Sequence, residues 1–374
     1  MDHRSLRIDA LRGIAIVLVM QLHMLVSTQA FREMHIPDPM IQALSYGWAG
    51  VVMFFVMSAY LLTSVLLRHR GEDNLTGVFY LRRALRILPL YWILLIAGSL
   101  ARAWWRRSGG DPLFWLWENQ PPMATYVLFL QNWIMGWIGR PVAAFYAVTW
   151  SLAVEEHFYL FLPLLVARLS PRGLGVLAAT FIFMGPIIRF SLSIAPGPLA
   201  AYTWTIAHLD SFGWGMLLAL ARQFRPNLLE TISAKFSAFV AFGLLVFASF
   251  AAPEMLNFKD SATGVTFASL AGMFALIAAI QPSNVPEKNP GLTIRCLAWC
   301  GKRCYSLYLI HGPVIGMTFV AAGWPNPPTA ANGGLPFILL AVATTFVLAA
   351  ITHRYIEQPL MALADRIAPY APTP

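Results

Sequence analysis

Stretches of about twenty apolar residues recur from one end of this chain to the other, and they constrain its fold more than any single motif does. A helix needs roughly 17 to 25 such residues to cross a hydrocarbon core about 30 Å thick. Cut at charged and turn residues, the runs predict spans near 11–28, 46–67, 85–101, 149–169, 173–193, 206–221, 236–252, 263–281, 304–321 and 335–355. The expected fold class is all-α, a polytopic membrane bundle of about ten transmembrane helices. Charged residues make up 11% of the 374 positions and hydrophobic ones 58%, against roughly a quarter charged in soluble domains. The apolar segment Met123 to Trp137 is too short to span and reads as an interfacial or re-entrant piece. The first run holds an arginine and a histidine and lacks a small-residue cleavage signature, so it reads as a retained span. Residues 1–360 are expected to form one transmembrane domain and 361–374 a short cytoplasmic tail, with no fused soluble domain.

The net charge of +9 is spread in small groups between apolar runs, which argues against nucleic acid and for membrane topology. Ten spans put both termini on one side. Nineteen of the 26 Lys and Arg residues then fall on that side, leaving Arg32, Arg102, Arg106, Arg107, Arg140, Arg189 and Lys259 on the other. Both termini are therefore expected in the cytoplasm, in a multi-pass protein of the cell inner membrane. The trio Arg102, Arg106 and Arg107 is the strongest violation of that reading. Cys296, Cys300 and Cys304 recur every fourth residue and are expected to share a helix face as packing residues. No histidine or acidic residue completes a metal set with them, so no metal is expected.

Ionisable residues inside apolar runs are costly and mark function by default. In the first span Arg12 and His23 lie eleven positions apart, which on a 3.6-residue helix is about 20° from one face and roughly 16 Å along the axis. Asp9 sits one turn before Arg12. Arg83 and Arg86 share a face one turn apart at the start of the third span, an arrangement suited to gripping phosphate or to ordinary positive-inside anchoring. The fourth span opens Thr149-Trp-Ser151-Leu-Ala-Val-Glu155-Glu156-His157, and each carboxylate buried there must be paired or neutralised. Counted inward from opposite faces, Glu155 and His23 reach similar depths within about 5 Å. Ser58, Ser151, His157, Asp210 and His311 are further candidates, each weighed against a packing or hydrogen-bonding role.

Taken in order, six segments resemble the membrane-bound acyltransferase family 3, which includes O-antigen and surface-glycan O-acetyltransferases and macrolide acyltransferases. They are Leu11-Arg12-Gly13 with His23, Phe54-Phe55-Val-Met-Ser58, Arg83-x-x-Arg86 before Pro89, Trp150-Ser151-Leu152 with Glu155, Tyr305-Ser-Leu-Tyr308 ending at His311, and Ile356-Glu357-Gln-Pro359. The likeness implies transfer of an acyl group, acetyl in the first instance, from cytoplasmic acyl-CoA to a hydroxyl. Arg12, Arg83 and Arg86 are then expected to bind the donor, and His23 and Glu155 to be catalytic. His23 would take the hydroxyl proton while Glu155 orients its ring. A covalent acyl intermediate on Ser58, Ser151 or a histidine is the alternative. Two departures stand out: Ala59 follows Ser58 where the family usually has glycine, and His157 stands where it often has glutamine.

The acceptor classes left open are glycans, lipid-linked sugars and small macrolide-type hydroxyl compounds. Acyl-CoA enters as co-substrate and no permanently bound cofactor is expected. Membrane lipid surrounds the bundle, nucleic acid is excluded as a partner, and a homo-oligomer is compatible with all of this. A membrane transporter is the rival class, since buried His, Glu and Asp also line proton and substrate pathways. It lacks support from any internal repeat.

Overall fold

Lipid cannot satisfy backbone N–H and C=O groups, so apolar runs of this length close their hydrogen bonds within themselves as helices. The computed structural model describes residues 6–26, 34–110, 115–252, 260–281, 290–322 and 335–370. The charges expected at Arg4, Arg32, Lys259 and Lys288 and the last four tail residues lie outside these. Among the described residues there is no strand. The helices used below are α1 Leu6–Gln21, α2 Ala49–Arg68, α3 Leu75–Arg107, α4 Met123–Val127, α5 Gln131–Ile138, α6 Thr149–Arg168 and α7 Pro171–Ile194. They continue as α8 Leu209–Phe224, α9 Ala234–Ala251, α10 Ser261–Ile280, α11 Leu292–Lys302, α12 Cys304–Ala321, α13 Leu335–Thr352 and α14 Gln358–Ile367. The chain is an all-α multi-pass membrane protein. Nine of its described helical segments are long and apolar enough to cross a membrane. The tenth expected span is α8, only 16 residues long but prolonged by a 3-10 turn over Thr205–His208, and it lies between α2, α7 and α10.

Local sequence sets several helix ends. The Ser170 hydroxyl accepts from the Gly173 N–H at 3.1 Å with Pro171 at the first helical position, so α7 starts where α6 has just stopped. Between α4 and α5, Phe129 adopts φ 57° and breaks the expected interfacial segment into two short helices. Helices meet closely where glycine removes a side chain. A Cβ on Gly301 would lie 1.7 Å from the Asp9 carbonyl oxygen and one on Gly13 1.9 Å from that of Leu297, so α11 docks backbone to backbone on α1. Ala59 belongs to the same kind of contact: a Cβ on Gly215 would approach the Ala59 Cβ to 2.6 Å. The methyl that departs from the family pattern is accommodated by a glycine on the facing helix, α8.

Three expectations change. The third span is 33 residues long, about 50 Å. Arg83 and Arg102 are nineteen residues, or roughly 28 Å, apart on it, so the two arginine groups reach opposite edges of one hydrocarbon core. What changes is the bound of the span, expected at 85–101 and extended at both ends to Leu75–Arg107. The stretch after Pro359, expected as a polar tail, is the helix α14, which rests against the start of α3. Cys296 and Cys300 lie on α11 but Cys304 opens α12 beyond a break at Arg303, so the three do not share one helix face.

Candidate functional site

At the end of the bundle where Arg12, Arg68, Arg83 and Arg222 gather, a cavity of about 790 Å³ opens between α1, α2, α3, α6, α8 and α12. The arginines come from α1, α2, α3 and α8, at the end of the bundle where each of these helices carries its charged residues. Six guanidiniums line the cavity, from Arg12, Arg68, Arg82, Arg83, Arg86 and Arg222, against two carboxylates, Glu155 and Asp365. Arg12 also meets Asp9 at 3.8 Å and Arg222 meets Glu230 at 3.7 Å, so arginines outnumber the carboxylates around the cavity six to four. Arg83 lies over the Tyr159 ring at 5.7 Å and the Phe79 ring at 5.9 Å, which aims the guanidinium across the cavity. Arg86 is held near both Arg83 and Arg12, so three like charges crowd one side of the cavity. Asp9, buried on α1, reaches Arg12 at 3.8 Å and limits where that guanidinium points.

Farther in, the lining turns neutral. Ser58 on α2 meets Tyr159 on α6 with their hydroxyls 2.5 Å apart, and Glu155, one turn before Tyr159, faces the same space. The inner wall is Phe54, Phe55 and a second hydroxyl pair, Ser151 and Tyr308, at 2.6 Å. Both hydroxyls reach the Val148 carbonyl, Tyr308 at 3.0 Å and Ser151 at 3.4 Å, so either can be the donor within the pair.

Behind Tyr308 stands a pair of histidines. The His311 ring centroid is 5.8 Å from that of Tyr308, and His311 Nε2 lies 2.8 Å from His23 Nδ1 with the ring planes 9° apart. His311 is fully buried, and its Nδ1 contacts the Tyr308 carbonyl at 2.7 Å and that of Leu307 at 3.2 Å. Carbonyls only accept, so Nδ1 of His311 carries the proton and its Nε2 lone pair accepts from Nδ1–H of His23. That assignment leaves Nε2 of His23 unprotonated, the form a general base requires. His23 occupies a π-helical turn, Leu22–Val26, a local widening that recurs at functional sites.

The structure thus brings Arg12, Arg83, Arg86, Glu155, Ser58 and Ser151 into one cavity, with Asp9 behind Arg12. His23 and His311 form their own unit beyond its inner wall. The partner on His23 is His311 rather than Glu155, because Glu155 is one side of the arginine cavity, near Arg83 and Arg12. Two candidates fall elsewhere. His157 bonds the Thr205 hydroxyl through Nδ1 at 2.6 Å, beside Trp133. Asp210 is not a histidine partner: its carboxylate takes both arms of Arg189, at 2.9 and 2.7 Å, and Arg189 also bonds Thr266 and the Ala207 carbonyl. Arg189, expected among the topology-setting charges, is fully buried in this pair.

Sequence reasoning missed the roles of Arg68, Arg82, Arg222, Tyr159 and Tyr308. Helical spacing offered a signal for two of them: Tyr159 follows Glu155 by one turn, and Tyr308 precedes His311 by three residues. The rim arginines could not be separated from ordinary edge anchors without the fold.

A family model described as "Acyltransferase domain" matches residues 5–354. Among curated relatives, the peptidoglycan O-acetyltransferase OatA of Listeria monocytogenes is 25% identical over 384 residues, covering 94% of this chain and 55% of that protein. YrhL of Bacillus subtilis, named "Putative peptidoglycan O-acetyltransferase", is 27% identical over 351 residues, covering 85% of this chain and 52% of its own. The chain spans about half the length of the curated relatives it matches. No solved structure matches it significantly.

Proposed function

The chain belongs to the acyltransferase family whose model covers residues 5–354, and from that premise we propose that it moves an acetyl group from acetyl-CoA to a hydroxyl of a glycan acceptor. The observation that carries this reading is the cavity itself. Six arginines against four carboxylates surround its outer part, and a neutral, hydroxyl-rich end lies against a histidine pair. CoA has the matching polarity. Its diphosphate and phosphomonoester together carry about four negative charges, and its pantetheine arm is a long neutral chain ending in the thioester. The arginines hold the phosphates, and the arm runs inward past Ser58 and Tyr159 toward Tyr308.

At the inner end His23 Nε2 takes the proton from the acceptor hydroxyl as its oxygen attacks the thioester carbonyl. The tetrahedral intermediate collapses with loss of CoA thiolate, which recovers the proton from the imidazolium. His311 supports the charged form of His23 through the 2.8 Å hydrogen bond, which becomes charge-assisted when the ring is protonated. Peptidoglycan is the first acceptor to test because it is named for two of the relatives. The arginine rim faces the cytoplasm, where acetyl-CoA is made, and the termini share that side.

The test is incubation of the purified full chain in lipid nanodiscs with labelled acetyl-CoA and muropeptide or glycan acceptors. Acceptor-dependent CoA release that disappears in His23→Ala supports the reading. Release that is indifferent to His23, or no CoA binding at all, sinks it.

A further inference from the structure

The helix α14 carries an acidic residue back to the rim of this basic cavity. Met361, Ala364 and Asp365 form part of the wall, next to the start of α3. The strap is fastened at several points. Arg82 donates to the Asp365 carboxylate and, at 3.1 Å, to the Ala368 carbonyl, and its guanidinium lies 5.6 Å from the Tyr370 ring centroid. Asn74 donates to the Pro369 carbonyl at 3.2 Å, and Tyr370 stacks on His69 with ring centroids 4.0 Å apart and planes 9° from parallel. Behind the strap lies a second cavity of about 220 Å³, walled by His69, Phe79 and Tyr370 and sharing Arg68, Arg82 and Arg83 with the first.

Resting on the donor reading above, we infer that this second cavity takes the adenosine 3′,5′-bisphosphate end of the donor, with Arg82 exchanging Asp365 for a phosphate. Three observations meet here. Aromatic rings at the wall supply a stacking surface for a nucleobase. Three guanidiniums supply forked donors that match phosphate oxygens better than lysine would. The anion already on Arg82 is a single carboxylate whose side chain is 65% exposed, a weakly held occupant that a phosphomonoester of nearly twice the charge displaces. Asp365 is thus an intramolecular stand-in for the ligand, and α14 closes the site when the donor is absent.

The test reads thermal stability of the full detergent-solubilised chain titrated with adenosine 3′,5′-bisphosphate, with CoA and with pantetheine. Asp365→Asn removes the competing charge, and the half-saturating concentration of the bisphosphate is expected to fall by up to about fivefold, the upper range for an exposed ion pair. Arg82→Ala and Tyr370→Ala are expected to weaken bisphosphate binding while leaving pantetheine binding unchanged. Arg82→Lys, which keeps the charge, serves where Arg82→Ala does not fold. Identical bisphosphate titrations in the wild type, Asp365→Asn and the Arg82 variant, with CoA still stabilising all three, overturn the subsite and leave the donor reading standing. Failure of both CoA and the bisphosphate to stabilise the wild type overturns the donor reading itself, and the subsite with it.

Discussion

Replacing His311 tests whether the histidine pair acts as a unit. Its Nε2 accepts the 2.8 Å hydrogen bond that fixes the tautomer of His23 and receives the charge when His23 becomes imidazolium. A hydrogen bond to a charged group is worth about 1.5–3 kcal/mol, so His311→Ala is expected to lower kcat by about ten- to hundredfold. Removing the base outright in His23→Ala is expected to cost about 10²- to 10⁴-fold. If His311 works only through His23, the double variant should be no worse than His23→Ala alone, because groups acting as a unit are grossly non-additive. KM for acetyl-CoA should not change in any of the three, since neither histidine lines the arginine cavity. His311→Gln retains an acceptor atom and should recover part of the lost rate. Steady-state CoA release over a range of donor concentrations, giving kcat and KM, measures all four proteins. Multiplicative losses in the double variant, or a loss in His311→Ala that appears in KM rather than kcat, would refute the reasoning.

Arg83→Ala removes a guanidinium that contributes ground-state binding, so KM for acetyl-CoA should rise about ten- to hundredfold with a smaller change in kcat; unchanged donor affinity would move the phosphate grip elsewhere. Asp210→Ala leaves Arg189 charged and buried without its carboxylate, and a loss of about 3–5 kcal/mol is expected. Its readout is thermal inactivation, with partial recovery when Arg189 is also made Met; a stable Asp210→Ala would show that the pair is dispensable. Gly301→Ala puts a methyl 1.7 Å from the Asp9 carbonyl oxygen and should undock α11 from α1, whereas at Gly243 nothing lies within 4 Å of the added carbon and the same change should be tolerated. Yield and size-exclusion profiles of the two variants distinguish them.

Length and hydropathy were enough to read the bundle, because a membrane helix leaves its signal in every residue of a long run. They failed at the edges. α14 escaped because ten residues with Asp365 and Arg366 resemble any polar tail, and its docking depends on Arg82, nearly three hundred positions earlier. α11 escaped because it is only 11 residues long, and what holds it is glycine-mediated backbone approach rather than hydropathy. Arg12, Arg83, Arg86 and His23 were conspicuous because each is a charged or ionisable residue at or inside an apolar run. The partner of His23 was not: depth along an axis placed Glu155 and His23 at similar levels, but depth is one coordinate of three, and the azimuth of α6 around the bundle turns Glu155 toward Arg83.

The same residue types serve two ends here, and what separates them is whether their charge is already answered. Arg189 and Asp210 stood out in the sequence as much as Arg83 and Glu155 did. Their bidentate pairing, with Thr266 and the Ala207 carbonyl filling the remaining donors, is complete without any ligand. Such a pair is matched in charge and hydrogen-bonded on all sides, which lets it persist in a low-dielectric interior as structure. Arg83 and Arg86 form no salt bridge among the described residues: Glu155 lies near Arg83 and Glu357 near Arg86 without direct pairing, and Arg86 also faces its like-charged neighbours Arg83 and Arg12. The excess of arginine over carboxylate around the cavity, six to four, is therefore the feature on which the proposed donor site rests.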